Sequence, residues 1–167
     1  MPDIEIRPLD RLHRLGAFSC GLQRIDNWFR DRAWKEQKKN IIRVFCATFP
    51  GEHDVVGYYS LTFIAWDYEK AKGVVATKYE QLEPLPTIYL PRIGVSEEHA
   101  HQGIGSQLLK DAFRKSAAIA DLAAITALSL HAVDQEKAGW YESLGFVRLE
   151  PNGLEMAISM NLIRKTL

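Results

Sequence analysis

The stretch HQGIGSQLLKDAF, residues 101–113, sets two glycines one residue apart at the start of an amphipathic helix. A helix start offers backbone N–H groups that lack intrahelical partners and the positive end of the helix dipole. Glycine admits a ligand where a Cβ would block it. The arrangement suits an anion, phosphate first of all. A helix with a glycine N-cap and no ligand accounts for the same residues, so the flanking sequence has to separate the two readings.

Toward the C-terminus, Ile104, Leu108, Leu109, Ala112, Phe113, Ala117 and Ala120 recur at helical spacing, with Lys110, Asp111, Arg114 and Lys115 on the other face. Immediately upstream, TIYLPRIGV (87–95) reads as a strand interrupted by Pro91, which removes a ladder donor and predicts a bulge or a local opening of the sheet. IIRVFCATF (41–49) and VVGYYSLTFIAW (55–66) are rich in β-branched and aromatic residues and flank the turn composition PGEHD, which predicts an antiparallel hairpin of core strands. IEIRP (4–8) opens as a short strand, and the spacing of Leu22, Ile25, Phe29 and Ala33 predicts one helix over roughly 22–38. Residues 67–86 mix a weak helical pattern with Pro84 and Pro86 and read as a loop with helical turns. Beyond the central helix, AITALSLHAV is an apolar strand, DQEKAGWYESLG a short helix begun by Asp134 and ended by Gly145, and FVRL with LEMAISMNL closing strands. There are no repeats or low-complexity tracts. This order predicts an α/β (α+β) chain with a mixed sheet and helices packed on its faces.

The chain of 167 residues suits one domain, 1–167, large enough to bury roughly 70% of its unfolded surface around one core. Lys plus Arg and Asp plus Glu both number 21, a zero net charge that argues against a general nucleic-acid binder. The charge is uneven, however: residues 1–49 carry ten basic against six acidic side chains, so this part is +4 and the remainder −4. In RIDNWFRDRAWKEQKKNIIR (24–43), Arg24, Arg30, Arg32, Lys35, Lys38, Lys39 and Arg43 outnumber Asp26, Asp31 and Glu36. A solvated face and a polyanion contact are both open for this helix. No apolar run approaches a membrane span and the N-terminus has no apolar signal core, so a cytoplasmic protein without membrane contact is expected. Cys20 and Cys46 show no metal-ligand spacing and read as reduced thiols, and no metal is expected.

A phosphate loop of the Walker type needs Lys and then Ser or Thr after its last glycine, which GIGSQLL lacks. A dinucleotide fingerprint needs a third glycine where Leu108 stands. What remains resembles the GCN5-related N-acetyltransferases, whose acetyl-CoA loop runs Arg or Gln, two variable residues, Gly, one variable residue, then Gly or Ala. LPRIGVSEEHAHQGIGSQLLKDAF is similar to that family's strand, loop and helix, and ALSLHAVDQEKAGWYESLGFVRL to its next strand, helix and final hairpin. Together they span about half of the chain. The resemblance implies a mixed, mostly antiparallel sheet splayed around an acetyl-CoA cleft. The backbone amides of Gln102, Gly103, Ile104, Gly105 and Ser106 would cradle the pyrophosphate, Ile93, Gly94 and Val95 would pair with pantetheine, and His101 and Asp134 would lie beside the cosubstrate. One departure is plain: the first position of the loop motif is Ala100.

The N-terminal half narrows the resemblance. FSCGLQRIDNWFRDRAWKEQKKNIIRVFCAT, VVGYYSL, LPRIGV and SLHAVDQEKAGWYESLGF resemble the toxin acetyltransferases of bacterial toxin–antitoxin modules. Those enzymes acetylate the α-amino group of aminoacyl-tRNA, block translation, are neutralised by a ribbon-helix-helix antitoxin and are often homodimers. In the resemblance Arg30, Lys35, Lys38 and Lys39 face tRNA phosphates, a salt-dependent hold without sequence preference.

The chemistry points the same way. An amine attacks a thioester only when neutral; an α-amino group with pKa near 8 largely meets that condition at neutral pH, whereas a lysine amine near 10.4 needs a base. No Asp or Glu is clearly placed for that duty. The departing CoA thiolate needs a proton, and Tyr141 in GWYESLGF stands where the family commonly carries the tyrosine that gives it; a core aromatic with a hydrogen-bonded hydroxyl is the alternative. The backbone N–H of Val95 or of its neighbour would stabilise the carbonyl oxygen. Arg92 either orients substrate or makes a structural ion pair. His131, in an apolar strand, reads as a core histidine rather than a base, and His99 and His101 as solvated. Trp28 and Trp34 read as packing residues rather than nucleotide platforms. Two rival functions stay open: an acetyltransferase for a small amine or a protein amino terminus, and a non-catalytic CoA-binding module.

Overall fold

In chain order the elements are β1 (Glu5–Pro8), α1 (Gln23–Asp31), α2 (Ala33–Lys38), β2 (Arg43–Thr48), β3 (Gly57–Trp66), α3 (Tyr68–Ala71), β4 (Leu85–Leu90), β5 (Ile93–Val95), α4 (Ile104–Leu122), β6 (Ala127–His131), α5 (Gln135–Ser143), β7 (Val147–Arg148), β8 (Glu155–Ser159) and α6 (Met160–Thr166). The computed structural model describes residues 1–71, 73–75 and 84–167. They group into two units, Met1–Thr62 with Pro91–Ala112, and Phe63–Leu90 with Phe113–Leu167.

In the first unit the expected hairpin is present: β2 and β3 are antiparallel, with Phe45 opposite Tyr59, and β1 adds antiparallel to β2. β5 takes the other edge of β3, antiparallel, with Tyr58 opposite Gly94. The helix expected over 22–38 is two helices that meet at Arg32, where φ is −125° and ψ −29°. No Gly or Pro marks the break, so the sequence carries no local signal for it. Ile25, Phe29 and Ala33 are buried, as their spacing predicts, and Trp28 is buried with them, but Leu22, the first residue of that pattern, is exposed. Phe29 stacks on Tyr58 at 3.9 Å between ring centres and 6° between planes, and Phe18 meets both rings edge-on at 5.1 and 5.3 Å. Each such side chain taken from water is worth roughly 1.5–3 kcal/mol.

A single amide braces α2 to the strands. The Gln37 side chain donates to the Leu9 carbonyl at 2.7 Å and accepts from the Val44 N–H at 2.9 Å. It therefore closes two backbone groups that the β1–β2 ladder leaves open.

In the second unit β4 runs parallel to β6, Ile88 opposite Leu128, and β8 lies antiparallel between β6 and β7. Pairing across the described strands is thus mixed and mostly antiparallel, as expected. Ile88, Leu90, Leu128, Leu130 and Met156 are almost fully buried, which explains their unbroken apolar runs. Asp134 caps α5, its carboxylate accepting the Lys137 N–H at 2.7 Å, and Gly145 follows the helix at φ +100°. Both ends of that helix were legible in the residues. The closing strand is shorter than LEMAISMNL implied: Ser159 ends β8 and its hydroxyl accepts the Leu162 N–H at 3.2 Å, starting α6. A short apolar run does not separate strand from helix by periodicity. Of the loop expected over 67–86, Tyr68–Ala71 is helical, while residues 72 and 76–83 lie outside the described residues.

Replacing Gln37 by Leu leaves the Leu9 carbonyl and the Val44 N–H unpaired. We expect a loss of about 1–3 kcal/mol in urea unfolding, with the Glu variant recovering only part because it accepts but does not donate.

Candidate active site

The glycine loop belongs to the first unit. The Ala100 N–H bonds to the Glu97 carbonyl at 3.2 Å and the Gln107 N–H to the Gly103 carbonyl at 3.1 Å. Between them, the backbone N–H groups of Gln102, Gly103, Ile104, Gly105 and Ser106 have no acceptor among the described residues. His101 (φ +60°) and Gly103 (φ +86°) both sit in the left-handed region, which folds the chain tightly before α4. A Cβ on Gly103 would lie 2.9 Å from the sulfur of Met1, an exposed and flexible side chain that can move aside, so it is the left-handed backbone rather than space that favours glycine there. This row of unpaired donors at the start of a 19-residue helix is an anion cradle. The cradle is backbone, so Ala100, whose own N–H is used within its turn, leaves it intact.

β5 supplies the second element. Ser60 donates to the Arg92 carbonyl and Ser96 to the Val56 carbonyl, both at 2.9 Å. In an antiparallel ladder bonded and non-bonded pairs alternate, so Tyr58 and Gly94 exchange bonds while the N–H and C=O groups of Ile93 and Val95 point away from β3. That edge of β5 is available to an extended ligand with amide groups of its own. The interruption read at Pro91 falls where β4, paired with β6, gives way to β5, paired with β3.

Gly57 joins the two elements. A Cβ there would meet Leu108 at 3.0 Å, Ile104 at 3.1 Å and the Gly94 carbonyl at 3.4 Å. The first turn of α4 therefore rests on bare β3 backbone, next to β5. The sequence held a signal for this, a glycine within a β-branched and aromatic run, which marks close backbone approach.

On the helix pair, Lys35, Lys38 and Lys39 are exposed and make no ion pair among the described residues. Arg30 is exposed and held locally by Asp31 and Asn27, Arg32 pairs with Glu36 at 2.9 Å, and Arg43 bonds to Asn40. Arg92 is half-buried with its guanidinium 3.9 Å from the centre of the Trp28 ring. Trp28 is buried and Trp34 packs against the same core cluster, as their packing role predicts.

Tyr141, on α5 in the second unit, is 6% exposed, with Trp140 and Phe146 against its ring at 4.9 and 5.4 Å. Its hydroxyl has no hydrogen-bond partner among the described residues. Burial raises its pKa, which keeps the phenol protonated. His131 departs from its reading: it is exposed at the end of β6 opposite Glu155. His101 is exposed as expected, but His99 is half-buried against Phe49, with a buried Nδ1 that has no partner among the described residues. The Asp134 carboxylate is engaged in capping α5. Both cysteines are free thiols; burial above all pushes half-buried Cys20, beside Gly94, up to about 11, and raises buried Cys46 as well. Among the described residues no cluster of three metal-ligating side chains occurs and no helix is long and apolar enough to cross a membrane.

Residues 43–148 match the family model described as an acetyltransferase (GNAT) domain. The chain belongs to this family. The acetyltransferase is 29% identical to a probable toxin TacT of Sinorhizobium fredii over 95% of this chain and 92% of that one. It is 30% identical to a tRNA-acetylating toxin of Mycobacterium tuberculosis over 78% and 76% of the two chains. Its fold is that of the toxin AtaT, solved with acetyl-methionyl-tRNAfMet (TM-score 0.85, 21% identity, 98% and 99% coverage). AtaT was also solved as a tyrosine-to-phenylalanine mutant with acetyl-CoA and the C-terminus of the antitoxin AtaR (TM-score 0.83, 20% identity, 99% and 98% coverage).

The seat at Gly57 is testable. Gly57→Ala should weaken acetyl-CoA binding several-fold in calorimetric titration, because the added methyl displaces the turn that carries the amides. Gly139→Ala, on an open face of α5, should bind as the parent does and stabilise by about 0.5–1 kcal/mol.

Proposed function

We propose that this acetyltransferase moves the acetyl group of acetyl-CoA onto the α-amino group of aminoacyl-tRNA and so acts as the toxin of a toxin–antitoxin module, stopping translation. The observation that carries the reading is the row of unpaired amides at 102–106 beside the open edge of β5, in the same unit as the exposed lysines of α2. The relatives named for tRNA acetylation support the choice of acceptor.

In this reading the amides of Gln102, Gly103, Ile104, Gly105 and Ser106 hold the pyrophosphate, and His101 borders it. Ile93, Gly94 and Val95 align pantetheine, Ile93 and Val95 through their outward backbone groups, and Asp134 lies along the same cosubstrate. The neutral α-amine forms the new N–C bond to the thioester carbon, whose oxygen takes the Val95 N–H. The C–S bond then breaks and the thiolate takes the phenol proton of Tyr141, which the proton shed by the amine restores. Atoms balance as acetylated amine plus free CoA. Lys35, Lys38 and Lys39 with Arg30 hold tRNA phosphates, and Arg92 orients the acceptor end. Residues 1–167 act as one acetyltransferase domain, working in the cytoplasm as a homodimer and silenced by a ribbon-helix-helix antitoxin.

In a bacterial translation extract with radiolabelled acetyl-CoA, label should enter the RNA fraction and leave it under mild alkali as acetyl-amino acid. Tyr141→Phe should abolish that label. Label confined to protein or small molecules would assign a different amine, and no label would leave a CoA-binding module. Reversing Lys35, Lys38 and Lys39 to Glu should raise KM for aminoacyl-tRNA by ~10-fold or more and flatten its salt dependence, with KM for acetyl-CoA unaltered. The initial rate, normalised to intact ester, should climb with pH to about 8 as the amine deprotonates and then stay level to about pH 10. The absence of a falling limb follows from the sign of the Tyr141 shift: a raised pKa keeps the acid loaded throughout.

A further inference from the structure

The phenol of Tyr141 has no partner among the described residues, so no hydrogen bond at its own oxygen holds it in place. Its position is set by the helix that carries it. α5 has only nine residues, and Ala138 and Tyr141, three apart, form its buried face. Gln135 and Glu142 are seven apart, two turns of helix, and share a second face about 100° round the axis from Tyr141. Both end on Arg148. Its Nε donates to one Glu142 oxygen at 2.8 Å and its Nη2 to the other at 3.3 Å. Its Nη1 donates to the Gln135 side chain at 2.7 Å and to the Gly153 carbonyl at 2.8 Å. The Gln135 amide in turn donates to the Asn152 carbonyl at 2.9 Å. Among the described residues, every side-chain hydrogen bond from α5 to another part of the chain runs to Arg148 or to this turn. The Arg148 side chain is only 18% exposed, and its hydrogen bond above all holds the Glu142 carboxyl below its ordinary value, so the pair stays charged around neutrality.

A clamp on both ends of one helical face resists rotation of the helix about its own axis, the motion that displaces a long side chain most. A tyrosine oxygen lies about 8 Å from its helix axis, so a rotation of about 7° carries it about 1 Å. A displacement of that size at a reacting group costs up to ~100-fold in rate. We infer that Arg148 is a positioning residue for proton delivery: by tying Gln135 and Glu142 to β7 and to the turn at Gly153, it fixes the rotation of α5 and with it the place of the Tyr141 phenol. The inference rests on the role proposed above for Tyr141 and adds to it a residue that acts only through α5. All of these groups lie within one unit.

The experiment is acetyl transfer to purified aminoacyl-tRNA by the full chain, with each variant's melting temperature recorded and, in a parallel sample, 3-fluorotyrosine placed at position 141 for a fluorine spectrum. Arg148→Ala should lower kcat about tenfold while KM for aminoacyl-tRNA and KM for acetyl-CoA stay put. Arg148→Lys keeps a charge opposite Glu142 without the planar fork that spans its partners, so it should restore only part of kcat. Gln135→Ala and Glu142→Ala each release one end of the clamp and should cost about twofold to fourfold in kcat; they carry the test if Arg148→Ala does not fold. The fluorine resonance, single in the parent, should broaden or divide in Arg148→Ala as the phenol samples more than one place. An unaltered kcat in folded Arg148→Ala, a rise in KM for acetyl-CoA that accounts for the loss, or an unchanged fluorine resonance would overturn the inference. A Tyr141→Phe protein that still transfers acetyl groups, or an unaltered protein that transfers none, would instead remove the proposed role of the phenol, and this positioning role with it.

Discussion

Everything in the cosubstrate half of this protein depends on the absence of one methyl group. α4 lies on β3 where Gly57 presents no side chain, and a Cβ would find Leu108 and Ile104 within 3.1 Å. Ile104 and Leu108 are buried to 1% and 0% by that contact, a gain of roughly 1.5–3 kcal/mol each, so the seat contributes stability while setting geometry. Its geometric result is that the unpaired N–H groups ahead of α4 lie alongside β5, the strand whose outer edge is open. Helix-end electrostatics and sheet-edge hydrogen bonding, two unrelated sources of unsatisfied backbone, thereby lie side by side in one unit.

The basic half obeys a different economy. Of the cations that give the N-terminal segment its excess, Arg30, Arg32 and Arg43 are tied to neighbours on their own helices or loop, which fixes shape more than field. Lys35, Lys38 and Lys39 are left to solvent, flexible ammonium groups with no fixed register. At physiological salt their field decays over about 8 Å, so such a face acts at contact range and leaves the zero net charge of the chain without consequence for association at short distance. Burial treats Tyr141 in the opposite manner: isolation from water holds its proton in place.

Much of this was legible in the residues. Alternating runs around PGEHD became a hairpin, and Asp134 and Gly145 bounded α5, because each rests on local chemistry that a sequence carries. What escaped was set by contacts distant in sequence. The division of the first helix at Arg32 has no breaker residue, and Trp28 met Arg92 across 64 positions of chain, which no periodicity encodes. His131 looked internal because its strand is apolar, yet it is the last residue of β6 and emerges opposite Glu155. Gly57 stood in plain view as an oddity of composition, but only the partner helix shows what it is for.

The two thiols have a practical side. Sulfur reacts with disulfide reagents as thiolate, and burial holds Cys20 near 11 and Cys46 higher still, so neither is ionised to a useful degree around neutrality. Free CoA, by contrast, carries an ordinary exposed sulfhydryl. A chromogenic disulfide added during turnover would therefore be consumed by the product far faster than by the protein, and the molecule comes with a dark background against which its own reaction can be timed.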